Sequence, residues 1–322
     1  SISASIPSNT RYWIIEVKTL ALRVRKPISD SMEQCNFDLI VIGAGPAGLT
    51  AASDAASAGL KVLCLDKLAP GGALINLGIL QDYDEGTDGP QVAAQLTDEA
   101  TVAGVEIGFG EVVELSGSGP WTIETADGER HTCRAVVIAT GLDKGRLGLP
   151  EEDRYEGRGL SHCASCDGPL YAGLPVIVAG ASGWAAHEAE ELQGIASEVT
   201  VIDTTGTDLP DGVVRIDGRI VALEGNDGLQ SIVVESGGTR KTIPTSAVFV
   251  YVGHTPAAKF LPESLARDAT GHIVVDDRGR TASPTLFAVG DVRTGTRCTL
   301  LDAVADGQRA ARAVVATLSN VS

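Results

Sequence analysis

The stretch Asp38-Leu39-Ile40-Val41-Ile42-Gly43-Ala44-Gly45-Pro46-Ala47-Gly48-Leu49-Thr50 decides the fold. The apolar run reads as a strand buried on both faces, Phe37–Ile42, that turns through G-x-G-x-x-G into an alanine-rich helix over 49–57. Each glycine answers a different need. Gly43 makes the tight turn, Gly45 lets backbone approach a pyrophosphate, and Gly48 lets helix and strand sit close. The helix start, with Pro46 and Ala47, then offers unpaired N–H groups to phosphate oxygens. A second strand over 61–65 ends in Asp66, 23 residues after Gly43. A carboxylate in that place accepts ribose hydroxyls. A lone glycine motif is weak evidence, but strand, helix, strand and terminal acid in register read as a dinucleotide-binding unit.

The same plan recurs further on. Residues 175–189 form another strand, turn and helix, and a strand over 198–202 leads into Asp203, again 23 residues after Gly180. This copy is damaged. Ser182 stands where the first copy has Gly45, so a side chain occupies the place where backbone should meet phosphate. Trp184 follows at the mouth of the helix, either as a packing residue or as a plug over the nucleotide site. Two more short strands end at glycine, Ala135-Val-Val-Ile-Ala-Thr140-Gly141 and Thr285-Leu-Phe-Ala-Val-Gly290-Asp291. Both suit strand ends that abut a cofactor. Asp291 then accepts from a cofactor hydroxyl or serves as a turn residue. A long helix over 301–318 follows.

Composition narrows the classes. The 322 residues are 43% hydrophobic and 21% charged, ordinary values for a chain with real cores. A net charge of −17 argues against nucleic acid and anionic membrane as partners. With 5 Phe, 5 Tyr and 3 Trp, base-stacking platforms are not expected either. Charge is uneven along the chain. Residues 1–31 carry +3 and the remainder −20. That leader is expected to lie outside the fold, with Met32 as the natural start in preference to a transit peptide. The longest apolar run, 12–24, is broken by Glu16, Lys18 and Arg23, and nothing reads as a secretory signal. A cytoplasmic protein is expected.

The chemistry concentrates in Ser161-His162-Cys163-Ala164-Ser165-Cys166-Asp167-Gly168. Of six cysteines, Cys35, Cys64, Cys133 and Cys298 stand alone and read as small core residues. Cys163 and Cys166 form the single C-x-x-C. Beside βαβ units, in a chain without export signals, that spacing reads as a redox pair. Structural zinc and a plain structural disulfide are the rivals. No second C-x-x-C or H-x-x-x-H supplies the other two ligands zinc wants, so no metal site is expected. Asp167 serves as acid or base to a thiolate, or caps the turn before Gly168. His162 stabilises a thiolate or is merely packed.

The order of these motifs, with Gly-Leu-Pro-Glu-Glu before the cysteines and Val-Gly-His-Thr-Pro after them, resembles the low-molecular-weight thioredoxin reductases. The resemblance runs from about Phe37 to the C-terminus. It implies an α/β protein of two nested Rossmann-like dinucleotide-binding domains. The divisions are 32–143 for the first part of an FAD domain, 144–252 for an inserted NAD(P)-type domain carrying the C-x-x-C, and 253–322 for the second part. It implies a homodimer and an inserted domain that rotates against the FAD domain. Gly43, Gly45, Pro46, Ala47, Gly48, Asp66, Gly71, Gly72, Thr140, Gly141, Gly290 and Asp291 would bind FAD. Cys166 would face the flavin as the charge-transfer thiolate, Cys163 would exchange with a partner disulfide, and Asp167 would be the acid.

The departures bear on the electron donor. Members using NADPH carry His-Arg-Arg after the second strand of the inserted domain, where this chain has Asp203-Thr204-Thr205. A 2′-phosphate needs arginine donors, and a carboxylate ~4 Å away costs about 4 kcal/mol at an effective dielectric of 20. The helix that members place next is deleted. Gly180, Ser182, Trp184 and Asp203 thus mark a degenerate nicotinamide-nucleotide site, with NADPH disfavoured and NADH open. On the flavin side, Gly71-Gly72-Ala73 replaces Gly-Gly-Gln, and Cys298-Thr299-Leu300 replaces Arg-Gln-Ala. The leading expectation is an FAD-dependent thiol–disulfide oxidoreductase, independent of NADPH, acting on a thioredoxin-like protein or a small dithiol. The alternatives are an NADH- or NADPH-driven thioredoxin reductase and an FAD-binding redox sensor without turnover.

Overall fold

A computed structural model describes residues 35–78, 80, 86–180, 183–206 and 208–320, with Gly183 and Trp184 described by backbone alone. The leader and Ser182 lie outside these residues.

The opening strand Phe37–Ile42 sits centrally in a sheet of seven strands. It pairs in parallel with Val62–Asp66 on one side and with Arg130–Ile138 on the other. The second neighbour is long, and two different strands share its outer edge. Its first half pairs antiparallel with Trp121–Thr125, and its second half pairs parallel with Leu286–Ala288. The chain therefore completes this sheet only after the whole intervening segment has been made. Leu39, Val41, Val137 and Phe287 face one layer of core, and Ile40, Ile42, Val136 and Ile138 face the other. Burial on both faces is why these strands are continuous apolar runs rather than alternating ones.

Helix Pro46–Ser57 covers the first face together with Leu300–Ser319. The first begins three residues before the expected start, because Pro46 takes the position where its missing N–H costs nothing. The last helix is capped by Thr299, whose hydroxyl accepts the Asp302 N–H.

The second dinucleotide-type unit builds an all-parallel sheet in the order Val214–Asp217, Glu198–Asp203, Pro175–Ala179, Ala247–Val250, Leu160–Ser161. Helix Gly183–Gln193 covers one face. The antiparallel strands Arg219–Glu224, Ser231–Ser236 and Thr239–Pro244 cover the other through Ile220, Leu223, Ile232 and Val234. Among the described residues between Asp203 and Val214 there is no helix, as the sequence led us to expect. The chain passes from the first sheet to the second through Leu142–Lys144 and returns through His254–Pro256. These two segments pair antiparallel with each other, His254 opposite Lys144. No helix among the described residues is long and apolar enough to cross a membrane.

Candidate active site

The expected cofactor residues converge on the start of helix Pro46–Ser57. Gly43 adopts φ +103°, open to glycine. A Cβ on Gly48 would lie 1.9 Å from the Gly43 carbonyl oxygen, so helix and turn touch backbone to backbone. Gly45 is the open one, its nearest neighbour for a Cβ being Gly72 Cα at 4.0 Å. The Gly71 N–H donates to Ala44 O (2.7 Å), which holds the Gly71–Gly72 turn over the first glycine turn. Asp66 accepts the Ala44 N–H on Oδ2 (2.8 Å) and the Leu68 N–H on Oδ1 (2.9 Å). From the C-terminal segment, Gly290 comes against Ala47, and Asp291 accepts the Thr296 hydroxyl (2.9 Å). Thr140 and Gly141 stand one step back, binding Ala257 by side chain and backbone respectively.

No side chain caps the helix start, and no acid lies in its first turn. Its amides therefore face outward over a backbone surface without Cβ atoms, with a carboxylate at the end of the next strand. This fits a dinucleotide whose pyrophosphate meets the amides and whose ribose meets Asp66.

Asp306 was not legible from sequence, yet it holds this cradle closed. Buried on the last helix, it accepts the Gly290 N–H (3.2 Å), pairs through two bonds with Arg293, and also takes Arg309. Removing it leaves the largely buried Arg293 guanidinium unpaired. Asp306→Ala is therefore expected to lower stability by about 3–5 kcal/mol and to weaken flavin retention. Denaturant midpoints check this, and a midpoint equal to the parent's would refute it.

Cys163 and Cys166 are joined as a disulfide, with Cα atoms 5.4 Å apart. Cys163 caps the short helix Ala164–Asp167. The Ser161 hydroxyl donates to Asp167 Oδ2 (2.7 Å) and accepts the Cys163 N–H (3.1 Å). Asp167 is thereby fixed by the same side chain that fixes Cys163. His162 is engaged elsewhere, its ring nitrogens meeting Val250 O (3.3 Å) and Glu156 Oε1 (3.1 Å).

Cys166 is exposed and lies toward the cofactor cradle. Its Sγ is 3.6 Å from Asn76 Oδ1, and the Ser165 hydroxyl donates to Asn76 O (3.4 Å). Asn76 ends the 3-10 turn Gly72–Asn76 that starts at the glycine pair. Sequence reading missed it, because nothing in a lone Asn shows which distant segment it will meet.

The other four cysteines divide. Cys64 and Cys133 are buried as expected, and burial pushes the Cys64 thiol up to about 12 and the Cys133 thiol well up. Cys35 is half-buried. Cys298 corrects the expectation of a core role. It is exposed, with φ +53°, and desolvation followed by the charge of Asp291 raises its thiol.

In the second unit Gly180 keeps its turn, where a Cβ would lie 2.3 Å from Tyr251 O. The reading of the Trp184 side chain, like Ser182, falls outside the described residues. Asp203 ends the strand Glu198–Asp203, as expected. Its buried carboxylate closes on its own loop, with Oδ1 accepting the N–H groups of Thr205 (2.6 Å) and Gly206 (3.0 Å). Its Oδ2 lies 3.4 Å from Arg215 of the adjacent strand. An arginine does stand beside this strand end, contrary to the sequence reading, but it is matched by Asp203.

The profile of the family described as "Pyridine nucleotide-disulphide oxidoreductase" matches residues 37–317. A thioredoxin reductase of Treponema pallidum (strain Nichols) is 31% identical over 89% of this chain and 99% of its own. The crystal structure of Lactococcus lactis thioredoxin reductase in its FR conformation superposes with a TM-score of 0.81. It is 30% identical and covers 88% of this chain and 99% of that one. A ferredoxin-flavin thioredoxin reductase from Clostridium acetobutylicum gives 0.51 at 26% identity, over 88% and 98% of the two chains.

Proposed function

The chain belongs to the pyridine nucleotide-disulphide oxidoreductases as an FAD-dependent, thioredoxin reductase-like enzyme, and we propose that it exchanges electrons with a partner dithiol or disulfide without NADPH as donor. One observation carries the donor reading. The acid at the end of the second strand of the inserted unit accepts two amides of its own loop on Oδ1 and faces Arg215 through Oδ2 (3.4 Å), which takes no hydrogen bond among the described residues. Arg215, the arginine beside that loop, already faces Asp203. Two missing charge-assisted bonds, at about 1.5–3 kcal/mol each, amount to roughly two to four decades of affinity. Pairing of Asp203 with Arg215 softens the simple repulsion argued from sequence, so the absence of donors is the larger effect. The Clostridium acetobutylicum relative, a ferredoxin-flavin thioredoxin reductase, is a precedent for another donor on this scaffold.

The residues around Gly43, Gly45, Gly48, Asp66, Gly71, Gly72, Gly290 and Asp291 hold the cofactor. FAD bound there supplies a two-electron acceptor and donor for the Cys163–Cys166 pair. The chain's own residues do the thiol chemistry. A partner thiolate attacks Cys163 Sγ, forming a mixed disulfide and breaking the Cys163–Cys166 bond, and Cys166 leaves as thiolate. The partner's second thiolate then attacks the mixed disulfide, closing the partner's own disulfide and releasing Cys163. Two electrons have passed to the pair. Asp167, held by Ser161, carries a proton to the departing sulfur. Run backwards, the same steps reduce a partner disulfide.

The inserted unit spans 144–252 and turns about the ribbon where the chain crosses, which lets Cys163 leave the Asn76 turn for a partner. A second copy completes a homodimer. A sulfur pair that must be reduced in each cycle suits the cytoplasm.

Anaerobic mixing of the yellow protein with NADPH, NADH and dithiothreitol, each alone, tests the reading. Dithiothreitol is expected to bleach the flavin band, and NADPH to act at least about a hundredfold more slowly. Fast bleaching by NADPH would overturn the donor reading, and fast bleaching by NADH would make this an NADH-driven reductase. Absence of turnover with every donor–acceptor pair would leave a redox sensor.

A further inference from the structure

The redox pair has a buried acid behind it that no step above uses. Glu188 lies on helix Gly183–Gln193 and Tyr251 just after strand Ala247–Val250, and both are buried. The Tyr251 hydroxyl donates to Glu188 Oε2. The Ala164 N–H, one residue after Cys163, reaches both Glu188 Oε2 (3.1 Å) and Tyr251 Oη (2.9 Å). Two donors thus converge on one carboxyl oxygen of Glu188. Desolvation, followed by the hydrogen bond and charge of Glu188, pushes the Tyr251 phenol well up, so it stays protonated as the donor.

We propose that Glu188 is a positioning residue that biases the Cys163–Cys166 pair toward its disulfide form. It acts through Ala164 and touches neither partner nor cofactor. Its charge stands next to the residue that follows Cys163, and it takes up the amide that a Cys163 thiolate could otherwise use. Reduction by an external dithiol breaks the Cys163–Cys166 bond, transfers two electrons and up to two protons to the pair, and closes the donor's own disulfide. Whatever negative charge remains on sulfur then lies near a carboxylate buried away from solvent screening. Asp167, on the short helix Ala164–Asp167 itself, is held by the Ser161 hydroxyl.

The inference rests on the reading of this pair as redox-active, and the experiment separates the two. The flavin-loaded protein is equilibrated at about pH 8 with a series of dithiothreitol ratios, quenched by thiol alkylation, and read by mass for the Cys163–Cys166 state. Glu188→Gln keeps the acceptor and removes the charge. It is expected to shift the disulfide–dithiol equilibrium about tenfold toward dithiol, about 30 mV for a two-electron couple. Glu188→Leu, which leaves Tyr251 Oη to accept the Ala164 N–H, is expected to shift it the same way and serves if the Gln variant does not fold. Tyr251→Phe keeps the charge and is expected to remain within about twofold of the parent. Equal ratios in the parent and both Glu188 variants would overturn the inference, as would equal shifts in Glu188→Gln and Tyr251→Phe. A parent pair that never opens would instead overturn the redox reading itself.

Discussion

Cys166→Ser is expected to abolish dithiol-linked turnover, by at least about a thousandfold, and to trap the partner on Cys163. The two effects have one cause. With Cys163 alone, attack on a partner disulfide forms a mixed disulfide and releases one partner thiolate. The sulfur that would attack the mixed disulfide, three residues on and 5.4 Å away by Cα, is missing. A covalent adduct then accumulates, visible by nonreducing electrophoresis and by mass. Cys163→Ser should lose the same turnover without the adduct, because Cys166 lies toward Asn76 and the cofactor cradle. Adducts on Cys166 equal in amount to those on Cys163 would reverse the roles assigned here.

Gly48→Ala is expected to produce protein with little or no flavin and with stability lowered by about 3 kcal/mol or more. The added methyl would sit 1.9 Å from the Gly43 oxygen and 3.1 Å from the Ala139 Cβ. The first obstacle is backbone, so no side chain can swing aside. Helix Pro46–Ser57 would have to move off the turn that its own amides serve. Gly45→Ala is the informative comparison. Its Cβ has only Gly72 Cα at 4.0 Å among protein neighbours, so the fold should survive while the approach of a pyrophosphate is obstructed. Flavin-to-protein absorbance ratios and denaturant midpoints of the two variants separate these effects. Full flavin content in Gly48→Ala would refute the close-approach argument.

Much of this architecture can be read along the chain because its signals are local. A strand, three glycines and an acid 23 residues on define a unit whose parts touch each other, and the structure brings those parts together. The pairing of Cys163 with Cys166 is local for the same reason. What sequence reading missed is long-range. Asn76 meets Cys166 across 90 positions, Tyr251 meets Ala164 across 87, and Asp306 reaches Gly290 across 16 by folding a helix back. Ordinary polar residues carry no periodicity that announces such partners. The place of Asp203 at a strand end was legible, but the two amides of the following turn that its carboxylate accepts were not. Cys298 was read as core from its isolated setting in the sequence, and it is exposed, with φ +53°, just before the last helix.

The paired segments Leu142–Lys144 and His254–Pro256 bring the entrance and exit of the inserted unit side by side, in register at Lys144 and His254. The insertion is therefore a closed excursion. Its length, its loops and even its ligand preference can drift without moving the ends that the first sheet must join. That makes it a cassette in the evolutionary sense. A lineage could lose one nucleotide and adopt another reductant by rewriting the excursion alone, while the strand Leu286–Ala288 still closes on Arg130–Ile138.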